Sequence, residues 1–400
     1  MLFLTYVNFT SYFMRTNPGG GLAPEEVVGR DALIADLWDK LERHSVMMTA
    51  ERRMGKTSVL RKMLAQQPPG VTAFYWDLEN IRSPEALVRE IFNKVSEDLG
   101  NSQKWQGKVQ QLLKNWGLGG EKIAGISLPK PDLTWQQHLQ GIVRDLSAQV
   151  EDRERWLFLF DELPLAIDNI RQDKGASIAM EVLDTLRSIR QDYPQIRMVY
   201  TGSIGLHHVV AELRQQGYRN APTNDLPSVE VEPLAEDDAG KLARDLLIGE
   251  KVATEDLAAV SQAIASAVNG NAFYIHHSVA RLKGIAQPID VARVEAMLQA
   301  AVRQYDVWDL GYFEKRIGSY YGENAKLALL ALDELAPESA LTIGDWWNRV
   351  SIQTPDLDKE VFRSTLNLLE QDHYICRNDA GAYRFRFSLV RRYWHQQRGN

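Results

Sequence analysis

"TAERRMGKTSVL", residues 49–60, is the stretch on which the reading of this chain turns. Residues 50–57 run from a small residue through four intervening positions to Gly55, Lys56 and Thr57, the spacing of a phosphate-binding loop with Ala50 in the first glycine's place. Such a loop works only where a strand turns sharply into a helix, so that backbone N–H groups and the helix N-terminus face the phosphates. Both flanks fit: the apolar run "SVMMTA" (45–50) enters the turn and the amphipathic "KTSVLRKMLAQ" (56–66) leaves it. The loop residues Ala50, Glu51, Arg52, Arg53, Met54, Gly55 and Ser58 are therefore expected to line a nucleotide, here ATP. Gly55 permits close approach, Lys56 reaches the β- and γ-phosphates, and the Thr57 hydroxyl ligates Mg2+. The competing reading is a surface loop rich in arginine and lysine.

A phosphate loop needs an acid at the end of a neighbouring buried strand. "RWLFLFDE" (155–162) is an uninterrupted apolar run ending in two carboxylates. Asp161 is expected to hold the Mg2+ shell, and Glu162 to polarise the attacking water as general base. The alternative is that both acids only cap the following segment, "LPLAIDNI". A third apolar run, "IRMVYTGS" (196–203), places Thr201 or Ser203 as a polar sensor beside the γ-phosphate, although threonine and serine also end strands as simple caps.

Around these motifs, strand-like and helical segments alternate from residue 25 to 234, the pattern of a parallel sheet with helices on both faces. Ser83, Pro84 and Gly100 read as cap, first turn and stop of one of those helices. Residues 101–133 are an insertion of looser pattern. Residues 235–305 read as an all-helical lid. Residues 306–400 read as a winged helix: three helices, then two β-like stretches around the turn "NDAG". Residues 1–24 form an N-terminal extension and linker, with Met14 an alternative start. The opening "MLFLTYVNFTSYFM" is too short to span a bilayer and lacks a basic leader and cleavage site. No stable membrane association is expected, and the protein reads as cytoplasmic. The single cysteine, Cys376, excludes a disulfide framework and a cysteine-based zinc site. A net charge of −7 argues against a protein whose whole surface coats nucleic acid, while leaving room for a local basic patch.

Taken in order, "VVGRDALIADL", "ERRMGKTSVL", "LFLFDE", "VYTGSIGL", "VEPLAEDDAGKL", "VNGNAFYIHHSVARL" and "RFRFSLVRRYW" resemble the prokaryotic archaeal-type ATPase family. That group of P-loop proteins is related to AAA+ origin-binding and STAND signalling ATPases. The resemblance spans about residues 25–395. It implies an ATP-binding α/β domain, a helical lid and a winged helix, with Mg2+ as cofactor. It further implies that Val28, Gly29 and Arg30 line the adenine pocket. The lid stretch "NGNAFYIHH" lacks the sensor arginine of AAA+ relatives in its opening turn; His276, His277 and Arg281 are substitutes, but the histidines are expected to pack at the surface. Phe387 stands where many STAND proteins carry a nucleotide-reporting histidine. Arg214 and Arg219, ahead of the last strand, are candidates for an arginine finger acting in trans, Arg219 foremost. A finger of that kind requires an ATP-dependent homo-oligomer, whereas a monomeric autoinhibited switch requires none.

Two functions follow. One is an ATP-driven conformational switch or assembly scaffold with a protein partner. The other is a DNA-linked ATPase whose winged helix holds double-stranded DNA. The last 21 residues contain Arg384, Arg386, Arg391, Arg392 and Arg398 and no acid, which favours DNA. Phe385, Phe387, Leu389, Tyr393 and Trp394 interleave with them, which fits a core strand and helix whose arginines pair internally. A small-molecule kinase is a distant third, since no acceptor pocket is readable. The weight falls on the switch.

Overall fold

The computed structural model describes residues 13–101, 133–150, 154–304 and 308–399. The opening apolar stretch up to residue 12 and the insertion at 102–132 lie outside the described residues. The chain divides into two compact units, one of residues 30–231 and the other of residues 1–29 with 232–400.

In the first unit, five parallel strands, β1 (Val46–Thr49), β2 (Val71–Asp77), β3 (Arg155–Asp161), β4 (Ile196–Tyr200) and β5 (Ser228–Glu230), form one sheet in the order β2-β3-β4-β1-β5. Helices α1 (Asp31–Leu41), α2 (Lys56–Ala65), α3 (Pro84–Asn101), α4 (Trp135–Ser147), α5 (Leu163–Lys174), α6 (Ala176–Asp192) and α7 (Leu206–Gln215) connect and cover it.

β3 is central because its sequence has no polar face to spare: every residue from Trp156 to Asp161 is buried. Its side chains alternate between two apolar layers. Trp156, Phe158 and Phe160 join Phe74 and Trp76 of β2 in an aromatic cluster packed against α3 to α6, with ring centroids 5.1–6.0 Å apart. Leu157 and Leu159 point the other way, toward the face that α2 covers. Full register between β2 and β3, from Val71 opposite Arg155 to Asp77 opposite Asp161, carries the acidic end of β3 to the same edge as the end of β2. The sequence correctly marks the start of α3, where Ala86 N donates to Ser83 Oγ at 3.2 Å. The described part of α3 runs to Asn101, one residue beyond the expected stop at Gly100.

The second unit begins with α8 (Glu236–Gly249), α9 (Leu257–Ala267), α10 (Ala272–Leu282) and α11 (Val291–Arg303). It continues with α12 (Tyr312–Tyr320), α13 (Ala325–Leu335), α14 (Ile343–Gln353) and α15 (Lys359–Gln371). An antiparallel pair, β6 (Ile375–Arg377) and β7 (Tyr383–Phe385), precedes the last helix, α16 (Ser388–Arg398). Leu341 bridges to Tyr383, and Trp346 packs on Phe362 and Tyr383, which ties α14, α15 and the strand pair around one aromatic core. A buried ion pair, Arg316 to Asp372 at 2.7 Å, is completed by the Tyr321 hydroxyl at 2.7 Å from the other carboxylate oxygen.

Residues 13–29 are anchored in this unit. Glu250 accepts from Thr16 N at 2.8 Å and Thr16 Oγ1 at 2.9 Å and pairs with Arg15 and Lys283. Burial pushes the Glu250 carboxyl up, but the donors from Lys283, Thr16 and Arg15 outweigh it and hold the pKa at about 2. The expectation of surface histidines on the lid helix is corrected at His276, which is only 3 % exposed and accepts from Asn17 N at 3.2 Å. His277, half-buried, stacks on Phe273 and Trp308. The reason is helical spacing: Ile275, Val279 and Leu282 are buried, and His276 shares their inward side.

Candidate functional site

The loop after β1 closes through two left-handed residues. Arg53 has φ 69°, and Gly55, at the N-cap of α2, has φ 89°. A Cβ on Gly55 would meet no atom of the chain within 4 Å, so within the protein itself it is the positive φ that calls for glycine. Alternation of backbone hand of this kind is the geometry that can turn neighbouring N–H groups to one side. The loop is braced from two directions. Arg30, 6 % exposed and at the N-cap of α1, donates from Nη2 to the Met54 carbonyl at 3.1 Å. Glu51, 2 % exposed, accepts from Arg52 N at 2.7 Å.

Lys56 is buried, and its Nζ donates to the Ala50 carbonyl at 3.0 Å and the Glu51 carbonyl at 3.1 Å. Two carbonyl acceptors offset part of the desolvation of an ammonium, and an anionic ligand is a stronger acceptor for the same donors. Thr57, one position on, donates from Oγ1 to Asp161 Oδ2 at 2.6 Å across 104 residues of sequence. The same carboxylate oxygen accepts from the Tyr75 hydroxyl at 3.1 Å. Burial raises the Asp161 pKa, opposed by the Thr57 and Tyr75 donors. Burial and the neighbouring Asp161 charge push the Tyr75 phenol in the same direction, so it stays a protonated donor.

Glu162 follows immediately and sits at the N-cap of α5 with φ 57°, a conformation that non-glycine residues adopt rarely. Its Oε2 accepts from both the backbone N and the Oγ of Ser203, each at 2.8 Å. Burial raises the Glu162 pKa and the two Ser203 donors lower it. Gly202 makes room for this pairing: a Cβ there would lie 2.7 Å from the Pro164 ring and 3.3 Å from Glu162 Oε2. Thr201 stitches β4 to the acidic corner, its N–H donating to the Phe160 carbonyl at 3.0 Å and its carbonyl accepting from Leu163 N at 3.1 Å. The Thr201 hydroxyl is itself buried and has no hydrogen-bond partner among the described residues.

The sheet thus brings Lys56, Thr57, Asp161, Glu162, Thr201 and Ser203 to the C-terminal ends of β1, β3 and β4, where ligands of open parallel sheets bind. Sequence reasoning treated Thr201 and Ser203 as interchangeable, but the structure gives them different partners. It missed Tyr75, which reaches Asp161 only because β2 and β3 are adjacent. Ser58 is half-buried in the first turn of α2. Val28 and Gly29 belong to the second unit, whereas Arg30 belongs to the first. Gly29 has φ 66°, and a Cβ there would lie 2.8 Å from the Asp238 side chain. Arg214 and Arg219 are exposed beyond the core of α7, with no ion pair to the described residues.

The C-terminal arginines are mostly engaged within their own unit. Arg398 pairs with Asp333 through Nε at 2.8 Å and Nη2 at 2.9 Å, and reaches Glu314 at 2.5 Å. Arg392 pairs with Glu295 at 2.8 Å, and Arg391 donates to the Glu338 carbonyl at 3.2 Å. Arg386 lies 3.4 Å from His373 Nδ1, which leaves Arg384 as the exposed one of the five. The interleaved Phe385, Phe387, Leu389, Tyr393 and Trp394 are all buried.

No protein-family model matches the sequence, and no curated protein matches it either. Among solved structures, a Walker-type ATPase of Pyrococcus abyssi superposes with a TM-score of 0.66 at 14% identity, covering 96% of this chain and 100% of that one. The ORC2 protein of Aeropyrum pernix, in ADPNP and ADP complexes, gives 0.53 at 11% identity, covering 94% of this chain and 93% of the other. The fold is that of a P-loop NTPase, a parallel sheet with helices on both faces. No helix among the described residues is long and apolar enough to cross a membrane.

Proposed function

We propose that the chain binds ATP with Mg2+ at the loop of residues 50–58 and hydrolyses it slowly, using the cycle as a conformational switch or assembly scaffold. The observation that carries this reading is the junction of Thr57 with Asp161, a hydroxyl and a carboxylate joined at 2.6 Å beside a buried lysine. The donor set suits the ligand. Lys56 and the loop N–H groups offer positive charge, Thr57 and Asp161 offer hard oxygens for Mg2+, and the unpartnered Thr201 hydroxyl offers one further donor. Bound Mg2+ would supply charge neutralisation for the phosphates. Glu162 holds the position of a general base, with its carboxylate oriented by Ser203. Val28, Gly29 and Arg30 are assigned to the adenine side, and Arg219 to a finger acting on a second copy.

In this reading residues 235–305 serve as lid and residues 306–400 as a winged helix that contacts a protein partner. Double-stranded DNA is the less favoured ligand, because four of the five C-terminal arginines already have partners or lie against a buried side chain. The deciding experiment is ATP turnover by the purified chain with and without double-stranded DNA at two salt concentrations. Slow turnover indifferent to DNA is expected. Lys56→Ala should abolish ATP binding, and Glu162→Gln should keep binding while lowering turnover by about 10²-fold or more. Normal ATP binding by Lys56→Ala would overturn the site, and salt-sensitive stimulation by DNA would replace the switch with a DNA-linked ATPase.

A further inference from the structure

At the N-terminal ends of the strands the sheet carries a second concave site. A cleft of about 330 Å³ lies between the C-terminal turn of α1, the prolines before β2 and the first residues of β3 and β4. From Arg155 in this cleft to Asp161 at the nucleotide edge, β3 spans roughly 20 Å, so the two sites share strands and no residues. Trp38, Pro68 and Leu157 contribute apolar lining. The volume is at the lower end of the range that holds small organic ligands.

The polar lining has an arrangement that ordinary surface pairing does not explain. Arg155 and Arg197 both enter the cleft, from adjacent strands whose register sets Leu157 opposite Arg197. Asp39 and Glu42 enter it from α1 and the residue after it. Two arginines and two exposed acidic residues therefore line one small space, yet no side-chain ion pair joins them within 4 Å. Arg197 spends its donors on backbone, from Nε to the Leu41 carbonyl at 3.1 Å and from Nη2 to the Glu42 carbonyl at 3.4 Å. Burial, and then the like charge of Arg155, push its pKa down. The Arg155 side chain makes no hydrogen bond to the described residues.

Two unpaired charges of each sign beside apolar lining are complementary to a small zwitterion with an apolar body. We propose that this cleft binds a free amino acid with an aromatic or branched apolar side chain. Its carboxylate meets Arg155 and Arg197, its ammonium meets Asp39 or Glu42, and its side chain lies on Trp38 and Pro68. A dianion such as phosphate is disfavoured by the two carboxylates, and a simple cation by the two arginines. Guanidinium groups suit a carboxylate, which they can grip with two parallel donors.

The test is ligand-observed NMR or calorimetry on the full chain, with L-phenylalanine and L-leucine as probes. 3-Phenylpropionate and phenethylamine each delete one end of the zwitterion. Saturable binding in the millimolar range or tighter is expected for at least one amino acid. Each truncated probe, and each of Arg155→Gln and Asp39→Asn with Glu42→Gln, should weaken it by about tenfold, the effect of losing one charge-assisted contact. Because the Arg155 side chain makes no hydrogen bond or ion pair with the described residues, its variant should keep a thermal midpoint close to the wild-type value, and the carboxylate variant tests the other end independently. No saturable binding of either amino acid overturns the proposal. So does 3-phenylpropionate binding as tightly as L-phenylalanine, or unchanged affinity in Arg155→Gln.

Discussion

Replacing Ser203 with alanine tests the proposed role of Glu162 without touching Glu162. The wild-type carboxylate accepts two hydrogen bonds from Ser203, and the variant removes the one from Oγ while the backbone N–H at 2.8 Å keeps the carboxylate in place. A hydrogen bond to a charged acceptor contributes about 1.5–3 kcal/mol, and one pH unit corresponds to about 1.4 kcal/mol. Partial exposure of Ser203 argues for the lower figure, so the Glu162 pKa, already raised by burial, should rise by about one further unit. A general base acts only when ionised. The acidic limb of ATP turnover against pH should therefore move about one unit toward alkaline pH in Ser203→Ala, with turnover above that limb retained. Ser203→Thr, which keeps a hydroxyl, should restore the wild-type limb, and Glu162→Gln should lose turnover at every pH. An unmoved limb in Ser203→Ala, with Glu162→Gln inactive, would refute the claim that Ser203 sets the basicity of this carboxylate.

Acid should loosen the second unit through His276. Burial lowers its pKa from 6.5 to about 4, so the folded unit prefers the neutral ring, and stability present above about 6.5 is lost as pH falls toward 4. At about 1.4 kcal/mol per pH unit this amounts to about 3 kcal/mol, and thermal unfolding across that window should show it more steeply in wild type than in His276→Gln. Arg316→Met should leave Asp372 buried without its cation and cost about 3–5 kcal/mol in urea unfolding, with ATP binding unchanged. Replacing Arg392 and Arg398 together with glutamine should lower the thermal midpoint, because both close ion pairs within the unit, while leaving any DNA retention at low salt unaltered.

The parts of the site legible in the sequence are those built from consecutive residues. Gly55, Lys56 and Thr57 lie in one turn, and Asp161 and Glu162 end one strand, so spacing and apolarity alone identify them. What joins them is not local. The Tyr75 bond to Asp161 depends on β2 lying beside β3, and that strand order is set by packing of the aromatic layer rather than by any motif. Ser203 and Thr201 are two residues apart at the end of one strand, and only the turn at Gly202 shows which of them meets Glu162. Charge was the least legible property. A run of arginines without acids resembles a nucleic-acid surface, but the acids that pair with Arg392 and Arg398 come from Glu295, Asp333 and Glu314, 65 to 97 residues upstream. A count along the chain cannot register neutralisation across it.

The two places where the chain passes between the units are both held close to the phosphate loop or to α8 within their own unit. The chain passes from one unit to the other at residues 29–30 and again at 231–232, and both crossings are fastened to the phosphate loop. On one side Arg30 caps α1 and donates to the Met54 carbonyl, near the loop's end. On the other, Val231 N donates to the Thr49 carbonyl at 2.8 Å, where β1 delivers the chain into the loop. The residue before the first crossing, Gly29, adopts φ 66° and leaves no room for a side chain beside Asp238 of α8, which belongs to the same unit. Phe387, which stands where many STAND proteins carry a nucleotide-reporting histidine, is buried, so the proposed switch is expected to work without a phosphate-reporting side chain at that position.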